Sequence, residues 1–313
     1  MSERGYREAL HEITVDAPSG DVYRLLANVA NWPLMFPPTI HVDYVERGAD
    51  EERIRIWATA NGEAKQWTSR RHLDAMAQRI DFRQEVSSPP VAAMSGTWLI
   101  EQLGDGGSRV RLSHSFRAVD DDAESLSWIE AAVDRNSRAE LGALKAHAES
   151  AARGGELMTF EDSVRVDGAA KDVYDFINEA DQWPQRLPHV ARVRFEETTP
   201  GLQVLEMDTA AKDGSEHTTT SVRVCFPDHT IVYKQTQLPA LMSLHTGRWT
   251  LSSEDTDVVA TSRHTVAVAQ GNIARVLGPD AGLEEAREYI RKALSANSMA
   301  TLGHAKEYAE RRS

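Results

Sequence analysis

Four polar residues follow a tryptophan in the run Trp67-Thr68-Ser69-Arg70-Arg71. In a β-strand successive side chains point to opposite faces, so Trp67, Ser69 and Arg71 would share one face. A guanidinium is always protonated and offers several donors, so an inward Arg71 could stabilise an oxyanion or anchor a carbonyl, with Ser69 as a further hydrogen-bonding group. The alternative is a solvated face with Arg71 as a surface charge. Trp67 argues against it, because large aromatic residues are usually at least partly buried.

A similar series recurs later in the chain as Thr219, Ser221 and Arg223, if one residue is dropped in the turn that follows. Ser221 and Arg223 are therefore candidates for the same chemistry in a second site. Thr219 stands where the first copy has Trp67, so the second pocket is expected to differ in shape.

Two histidines occupy strand positions that the alternation assigns to the interior. His114 lies between Leu112 and Phe116 in this phase, and His264 precedes Val266. Both are therefore expected to point inward. Such a histidine is either a core residue with satisfied hydrogen bonds, or a proton shuttle or hydrogen-bond donor for a ligand.

Two asparagines are predicted to lie on the apolar stripes of long helices. Asn136 is three residues after Val133, and Asn297 follows Leu294 in the same phase. A buried amide needs hydrogen-bond partners, because leaving it unpaired costs stability. Each asparagine is thus either a structural residue bonded to a loop backbone or a site residue that binds the ligand or positions water.

The chain repeats itself with a period of about 150 residues. The paired segments keep their order, and their tryptophans, Trp32 and Trp183, both precede proline; we interpret them as packing residues or aromatic residues at a pocket mouth. The repeat indicates two homologous domains, 1–153 and 154–313, joined where adjacent glycines weaken a continuing helix. The paired segments are Asp21-Val22-Tyr23 with Asp172-Val173-Tyr174, Trp32-Pro33 with Trp183-Pro184, Phe36-Pro37 with Leu187-Pro188, and Gly96-Thr97-Trp98 with Gly247-Arg248-Trp249.

Each half has the same predicted elements. A short strand (12–15; 162–166) precedes a helical stretch, several strands follow, and a long helix (121–151; 283–311) ends the half. Helices segregated from a meandering sheet indicate an α+β fold. A curved antiparallel sheet wrapped around one long helix would enclose a pocket.

Composition excludes several classes of protein. The formal net charge of −13 opposes nucleic acid and anionic membranes as general partners. One cysteine among 313 residues allows no intramolecular disulfide and no cysteine-based metal site. The polar N-terminus and the lack of a long apolar run predict a cytoplasmic protein. We find no metal motif and no glycine-rich phosphate loop, so no metal, nucleotide or redox cofactor is expected.

The Trp32-Pro33 loop, the strand with Trp67, Ser69 and Arg71, and the helix with Asn136 together resemble the aromatase/cyclases of bacterial type II polyketide synthases. The duplication is similar to their didomain subclass, and the resemblance covers nearly the whole chain. It implies a helix-grip fold of the START or Bet v 1 kind in each domain. It also implies a poly-β-ketone substrate on an acyl carrier protein, with closure and/or aromatisation of the first ring between C7 and C12.

The resemblance also implies which residues form the sites. It places catalytic groups at Arg71, Ser69 and Asn136, and at Ser221 and Arg223 in the second half. The second half departs from the first at Thr219 and at Leu187, which leaves its chemistry open. Together with the two histidines placed by strand alternation, the residues expected to bind substrate are Trp32, Phe36, Trp67, His114, Trp183, Thr219, His264 and Asn297.

These residue types suit such a reaction. The α-protons of a poly-β-ketone are already acidic, so the main task is to hold one carbon near one carbonyl and exclude other folds of the chain. Arg71 is expected to stabilise the oxyanion, while Ser69 or an ordered water relays protons and His114 is a reserve candidate.

Two other functions remain open at this point. The same fold can carry hydrophobic ligands without chemistry, and fold alone does not decide function. The chain could instead stabilise the synthase complex or chaperone its intermediate. Turnover distinguishes these readings, because a carrier or scaffold would leave the products unchanged.

Overall fold

The computed structural model describes residues 5–60, 62–152, 157–210, 216–254 and 257–313. It contains two compact units, Met1–Gly155 and Glu156–Ser313. The predicted boundary between residues 153 and 154 lies outside the described residues. No helix in the described ranges is long and apolar enough to cross a lipid bilayer.

The first domain is a seven-stranded antiparallel sheet with strand order β1-β7-β6-β5-β4-β3-β2. Two short helices and a 3₁₀ turn separate β1 from β2, and one long helix ends the domain. Its elements are β1 (Arg7–Val15), α1 (Ser19–Ala27), α2 (Trp32–Met35), β2 (Thr39–Arg47), β3 (Glu51–Ala60), β4 (Glu63–Asp74), β5 (Arg79–Gln84), β6 (Val91–Gln102), β7 (Ser108–Ala118) and α3 (Ala123–Ala152).

The second domain repeats this plan with strand order β8-β14-β13-β12-β11-β10-β9. It adds one short helix before the long one. Its elements are β8 (Met158–Val166), α4 (Ala170–Asn178), α5 (Trp183–Arg186), β9 (Val190–Thr199), β10 (Leu202–Ala210), β11 (Glu216–Phe226), β12 (Thr230–Gln237), β13 (Met242–Glu254), β14 (Asp257–Val268), α6 (Ile273–Leu277) and α7 (Leu283–Glu310). The predicted α+β class with two helix-grip domains is confirmed.

The long helix of the first domain begins two residues later than predicted. Asp120 and Asp121 have positive φ angles of 55° and 53°, which no α-helix contains. Asp122 then caps the helix, since its carboxylate accepts a hydrogen bond from the Ser125 amide at 2.8 Å. The first strand, in contrast, begins earlier than predicted, because Arg7 already pairs with Phe116 of β7.

The stripe of α3 that faces the sheet contains Ser137 rather than Asn136. Val133, Ser137 and Leu141 are buried at spacings of four residues, whereas Asn136 is exposed. The expectation that Asn136 lies on the inner stripe is therefore wrong. Residues three or four positions apart lie on the same face of a helix, so Asn136 and Ser137 were both possible after Val133. Ser137 lies four residues from both Val133 and Leu141, and it is the one that faces the sheet.

Helix α7 shows the same correction. Ile290, Ser298 and Leu302 are buried, while Asn297 is exposed. Asn297 is therefore not inward-facing, and Ser298 occupies the polar position of the stripe. Both long helices thus present a serine to the inner face of their sheet.

A glycine in each sheet makes room for an aromatic ring on the neighbouring strand. Gly96 pairs with Phe82, and Gly247 pairs with Tyr233. A Cβ added at Gly96 would overlap the Phe82 ring and the Ser113 carbonyl, and one at Gly247 would overlap the Tyr233 ring. The missing side chain lets each ring lie across the strand inside the domain.

Gly96→Ala should destabilise the first domain by about 1–3 kcal/mol, because the added methyl must displace the Phe82 ring or the backbone. Urea unfolding of the full chain measures this change. Gly142→Ala is the control: Gly142 lies in α3 with no atom within 4 Å of an added Cβ. It should stabilise the helix by about 0.5–1 kcal/mol. Equal midpoints for the two variants would contradict the packing described for Phe82.

Candidate functional site

Cross-strand pairing places the predicted site residues of each domain in one row. In the first domain Arg71 pairs with Glu52 and Phe82, and Gly96 pairs with Phe82 and His114. Paired residues share a face of the sheet, so this row runs along the inner face. Three strand spacings separate Arg71 from His114, which is about 14 Å along the sheet.

The second domain has the equivalent row. Arg223 pairs with Gln203 and Tyr233, and Gly247 pairs with Tyr233 and His264. Arg223 and His264 therefore correspond to Arg71 and His114. The two rows differ where Gln203 replaces Glu52 and Tyr233 replaces Phe82.

Arg71 is buried at the carboxyl end of α1. Only 2% of its surface is exposed. Its Nη1 donates to the Leu26 carbonyl at 3.3 Å and its Nη2 to the Ala27 carbonyl at 2.8 Å. A helix ends with unpaired carbonyls and a partial negative charge, so a guanidinium is a favourable cap there. The alternative of a solvated Arg71 is wrong.

Glu52 supplies the opposite charge for Arg71. Its Oε2 lies 3.4 Å from Arg71 Nη2, and both side chains are buried. Burial lowers the pKa of the Arg71 guanidinium, and the Glu52 carboxylate opposes that change. The pair is therefore close to neutral as a unit, and its field at the inner face is that of a dipole rather than of a free cation. Sequence reasoning missed Glu52, which shows no signal until the register of β3 and β4 is known.

Trp32 bonds to the same helix end. Its indole Nε1 donates to the Leu26 carbonyl at 3.1 Å, and the guanidinium carbon of Arg71 lies 5.3 Å from the centre of its ring. Phe36 packs edge-on against Trp32 at 5.7 Å and stacks on Trp98 at 6.4 Å. Trp32 is thus fixed by packing, hydrogen bonding and a cation–π contact. Together Arg71 and Trp32 form what we term the helix-end clamp.

The second domain keeps the clamp. Arg223 Nη2 donates to the Ile177 carbonyl at 2.6 Å, and Trp183 Nε1 donates to the Phe176 carbonyl at 3.2 Å. The guanidinium carbon of Arg223 lies 5.2 Å from the centre of the Trp183 ring. Burial lowers the pKa of Arg223.

Gln203 cannot neutralise Arg223 as Glu52 neutralises Arg71. Its amide instead donates to Asn178 Oδ1 at 3.1 Å and to Glu197 Oε2 at 2.9 Å. Arg223 Nη1 is buried and has no hydrogen-bond partner among the described residues. The clamp is therefore conserved between the domains, while its electrostatics are not.

Each of the two predicted serines lies two residues before the clamp arginine on the same strand. Ser69 is buried, and its hydroxyl donates to the Arg83 carbonyl at 2.9 Å. Ser221 is half-buried and pairs with Leu205 and Gln235. The predicted inward orientation of Ser69 and Arg71 is confirmed. Their catalytic roles, and that of Ser221, stay predictions.

Trp67 and Thr219 occupy corresponding strand positions with different surroundings. Trp67 is half-buried and packs against the apolar cluster that contains Val29 and Ile56. Thr219 is half-buried and pairs with Met207. The second domain therefore lacks an aromatic wall at this position, as the sequence predicts.

His114 contacts both the sheet and α3. Its Nδ1 lies 3.3 Å from Ser137 Oγ, and its ring meets Phe82 edge-on at 5.5 Å. Burial lowers the pKa of His114 to about 4, so the imidazole is neutral near pH 7. A neutral imidazole has one donor and one acceptor nitrogen, and the bond to Ser137 influences which is which.

A second imidazole lies on β1, where sequence reasoning missed it. His11 Nε2 is 2.9 Å from Asp134 Oδ1 of α3. Hydrogen bonds from Arg138 and His11 lower the pKa of Asp134 to about 2. The other ring nitrogen of His11, Nδ1, is buried with no hydrogen-bond partner in the described ranges. The alternation of His11 with Ile13 and Val15 was a usable sequence signal.

A polar network fills the corresponding region of the second domain. His264 Nδ1 lies 2.9 Å from His245 Nε2 and 3.2 Å from the Tyr233 hydroxyl, and His264 Nε2 lies 2.7 Å from Ser298 Oγ. Gln235 Oε1 is 2.9 Å from His245 Nδ1. Burial lowers the pKa of His245 to about 3 and that of His264 to about 4. Of these residues, only His264 was singled out in the sequence.

A concavity of about 770 Å³ crosses the first sheet along the row of Arg71 and His114. Most of its lining side chains, such as Arg70, Thr97 and Ser113, alternate with that row and so belong to the outer face. This concavity is therefore not the interior pocket predicted from the sequence. The inner face keeps accessible surface at the half-buried residues Trp67, Phe82, Met94 and His114.

No group of three or more histidine, cysteine, aspartate or glutamate side chains among the described residues has the arrangement of a metal site. Cys225 is a free, buried thiol, and burial raises its pKa to about 11. A thiol that is protonated at neutral pH is a poor nucleophile and a poor metal ligand.

Two family models match the chain, both described as polyketide cyclase/dehydrase and lipid transport, over residues 8–149 and 166–284. A granaticin polyketide synthase bifunctional cyclase/dehydratase from Streptomyces virginiae is 53% identical over 94% of this chain and 97% of its own length. The actinorhodin counterpart from Streptomyces coelicolor is 45% identical over 97% of this chain and 98% of its own.

Two solved structures share the whole architecture. The di-domain ARO/CYC BexL of the BE-7585A biosynthetic pathway superposes with a TM-score of 0.91 at 61% identity, covering 97% of this chain and 99% of that one. The di-domain ARO/CYC StfQ of the steffimycin biosynthetic pathway gives 0.87 at 36% identity, with the same coverage.

Arg71→Met should destabilise the first domain by about 3–5 kcal/mol, because it leaves the Glu52 carboxylate buried without a cation. The double variant Arg71→Met/Glu52→Gln should recover part of this loss, since Gln stands at the equivalent position 203 of the second domain. Urea unfolding of the full chain measures both changes.

Arg70→Met is the control for this series, because Arg70 makes its ion pairs with Glu85 and Glu46 at a half-exposed position. It should change the free energy of unfolding by about 1 kcal/mol or less. A cost for Arg71→Met no larger than that for Arg70→Met would show that the buried clamp does not stabilise the domain.

The second domain should lose stability as pH falls from 7 towards 5. His245 and His264 are neutral when folded, whereas a histidine in the unfolded chain has a pKa near 6.5, so the unfolded state binds more protons in this range. At pH 5 each buried imidazole should cost on the order of 1–2 kcal/mol.

The variant His245→Met tests this linkage, because Met94 is the equivalent residue of the first domain. Thermal unfolding of the full chain at pH 7, 6 and 5 should show a shallower fall in Tm for the variant. Parallel curves for the variant and the natural chain would mean that His245 takes no part in the acid sensitivity.

Proposed function

The chain belongs to the polyketide cyclase/dehydrase family, and on this premise we propose that its first domain closes and/or aromatises the first ring of a poly-β-ketone, between C7 and C12. The substrate is carried by an acyl carrier protein of a type II polyketide synthase. Because the relatives are named as bifunctional cyclase/dehydratases, both ring closure and loss of water fall within the proposed activity.

The proposed activity is assigned to the first domain because of the position of His114. A neutral, half-buried imidazole, His114, lies on the inner face in the same row as Arg71, and a serine of α3 holds its Nδ1. The row between them is formed by the flat ring of Phe82 and by Gly96, which has no side chain. The inner face therefore offers an apolar floor with a polar group at each end.

The reaction needs only proton transfers. In ring closure an α-carbon loses a proton, a carbon–carbon bond forms to a carbonyl carbon, and the carbonyl oxygen gains a proton. In aromatisation a further α-proton and the hydroxyl leave together as water, and the remaining ring ketones enolise; a chain reduced at C9 loses a second water in place of one enolisation. No oxidant or reductant is consumed in either step.

His114 suits both steps because it is neutral. The nitrogen that does not face Ser137 can donate to the attacked carbonyl oxygen in one tautomer and accept an α-proton in the other. His11, with Asp134 behind it, is a second base on the neighbouring strand. We assign His114 the proton transfers and His11 a supporting role.

We assign Arg71 a positioning role. Both of its terminal nitrogens donate to the end of α1, and its guanidinium lies against the Trp32 ring. Stabilisation of the oxyanion by Arg71, as predicted from the sequence, would need one of these bonds to be exchanged or the Nε to be used. The hydroxyl of Ser69 likewise donates its proton to a backbone carbonyl, so towards a ligand it can act only as a hydrogen-bond acceptor.

A non-catalytic carrier or a chaperone of the synthase complex is the second candidate, and no specific feature of the inner face favours it. Such a protein would bind the same ligands without changing the products. Turnover therefore decides between the two functions.

His114→Gln should lower the ratio of first-ring aromatic product to shunt products by roughly 100-fold, the effect expected of one acid–base group. The measurement uses a minimal synthase reconstituted with the full chain, with and without a ketoreductase, and identifies products by mass spectrometry and NMR. Dependence on the ketoreductase would show whether the natural substrate is reduced at C9.

His72→Gln is the matched control, because His72 is an exposed histidine on the other face of β4. It should match the natural chain. A product mixture that does not respond to the natural chain at all would favour a carrier or scaffold, and a natural product pattern from His114→Gln would remove His114 from the mechanism.

A further inference from the structure

The second domain contains a polar network where its fold does not require one. His245, His264, Ser262 and Ser298 are 3% exposed or less. In the first domain Met94 and Leu112 stand in place of His245 and Ser262, and only the histidine–serine pair of His114 and Ser137 remains, so the same sheet and helix pack without the larger network.

The hydrogen bonds of the network run in one direction. Ser262 donates to Ser298 at 3.1 Å, and His264 Nε2 lies 2.7 Å from Ser298 Oγ and 3.2 Å from Ser262 Oγ. His264 Nδ1 lies 2.9 Å from His245 Nε2, and His245 Nδ1 lies 2.9 Å from Gln235 Oε1. The Gln235 amide presents its oxygen to His245, and an amide oxygen can only accept, so with the amide in this orientation His245 carries its proton on Nδ1.

The remaining protons follow from that one. Neutral His245 then has a lone pair on Nε2, so His264 must donate from Nδ1. Neutral His264 then accepts at Nε2 from Ser298. Both imidazoles are neutral because burial lowers their pKa values, and the chain of donors is Ser262, Ser298, His264, His245.

This order determines the state of the Tyr233 hydroxyl. It lies 3.2 Å from His264 Nδ1, which already carries a proton, so the tyrosine oxygen can only accept there. The proton of the hydroxyl is then left to donate elsewhere. Tyr233 is also half-buried, unlike the histidines and serines of the network, so it keeps accessible surface.

Apolar side chains pack against Tyr233, while its hydroxyl faces His264. Tyr233 packs against the cluster that contains Leu205, Ile231 and Trp249, and its ring lies across Gly247. A second apolar cluster, with Met242, Val266 and Ile290 among its members, lies elsewhere in the same domain. A single directed donor among apolar walls suits a ligand with one oxygen acceptor on a hydrophobic body.

We propose that the second domain has its own binding site for an aryl ketone, in which Tyr233 donates a hydrogen bond to the ketone oxygen and the His264–His245 pair fixes it as a donor. The inference rests on the proposed function, since a cyclised polyketide intermediate is such a ketone. It assigns the second domain a ligand of its own, beside the substrate bound in the first.

The probe for this site is a fluorescent aryl ketone, 6-propionyl-2-(dimethylamino)naphthalene, whose emission shifts to the red when its carbonyl accepts a hydrogen bond. Tyr233→Phe should weaken its binding to the full chain by roughly 3- to 10-fold, the value of one hydrogen bond. The red-shifted part of the bound emission should disappear with it. The variant should fold, because Phe82 fills the equivalent position of the first domain.

Tyr289→Phe is the matched control, because Tyr289 lies exposed on α7 and loses the same hydroxyl. It should bind and emit like the natural chain. His245→Met is the second variant, because it removes the acceptor that orients His264; it should reduce the red-shifted emission without removing the tyrosine. Unchanged affinity and emission in Tyr233→Phe would overturn the proposal.

The proposed function is tested separately, by identifying the products of the reconstituted synthase. Loss of first-ring product in His114→Gln together with unchanged probe binding in Tyr233→Phe would sink the second site and leave the function of the first domain standing. Probe binding through Tyr233 in a chain that does not alter the products would keep the site and refute the aromatase/cyclase activity.

Discussion

A buried guanidinium at the end of a short helix is the interaction on which each domain depends. An unpaired buried charge costs several kcal/mol, and helix carbonyls accept from both Arg71 and Arg223, while Arg71 also has the Glu52 carboxylate beside it. The same carbonyl end receives the indole N–H of Trp32 or Trp183. The strand that carries the arginine, the end of the preceding helix and the start of the next short helix are thereby joined at one point, and the inner face of the sheet is positioned relative to them.

The two domains share the helix-end clamp and differ in the side chains that lie beside it. Glu52 neutralises Arg71, whereas the equivalent Gln203 turns to Asn178 and Glu197. Phe82 lies against a histidine held by one serine, whereas Tyr233 belongs to a network of two histidines and two serines. The fold therefore tolerates two kinds of interior chemistry behind one clamp, which is the expected relation between a scaffold and the sites it carries.

The alternation of side chains along strands predicted much of the site correctly, whereas the spacing of residues along helices predicted less. Alternation with period two is strict, so Ser69, Arg71 and His114 were correctly oriented from the sequence. A helical stripe accepts steps of three or four, so Asn136 and Asn297 were chosen where Ser137 and Ser298 face the sheet. Glu52 and Tyr233 were missed for another reason: their importance lies in the residues that register places beside them, and register is set by contacts across the whole sheet. The family resemblance supplied the activity, which no single residue pattern could have given.

The most direct test of the account is a crystal structure of the full chain with a non-hydrolysable poly-β-ketone mimic attached to pantetheine. We expect density for the mimic inside the first domain, between α3 and the row from Arg71 to His114. One mimic oxygen should lie within hydrogen-bond distance of His114, and the bonds from Arg71 to Leu26 and Ala27 should be retained. A mimic bound only on the outer face of the sheet, or one that never approaches His114, would contradict it.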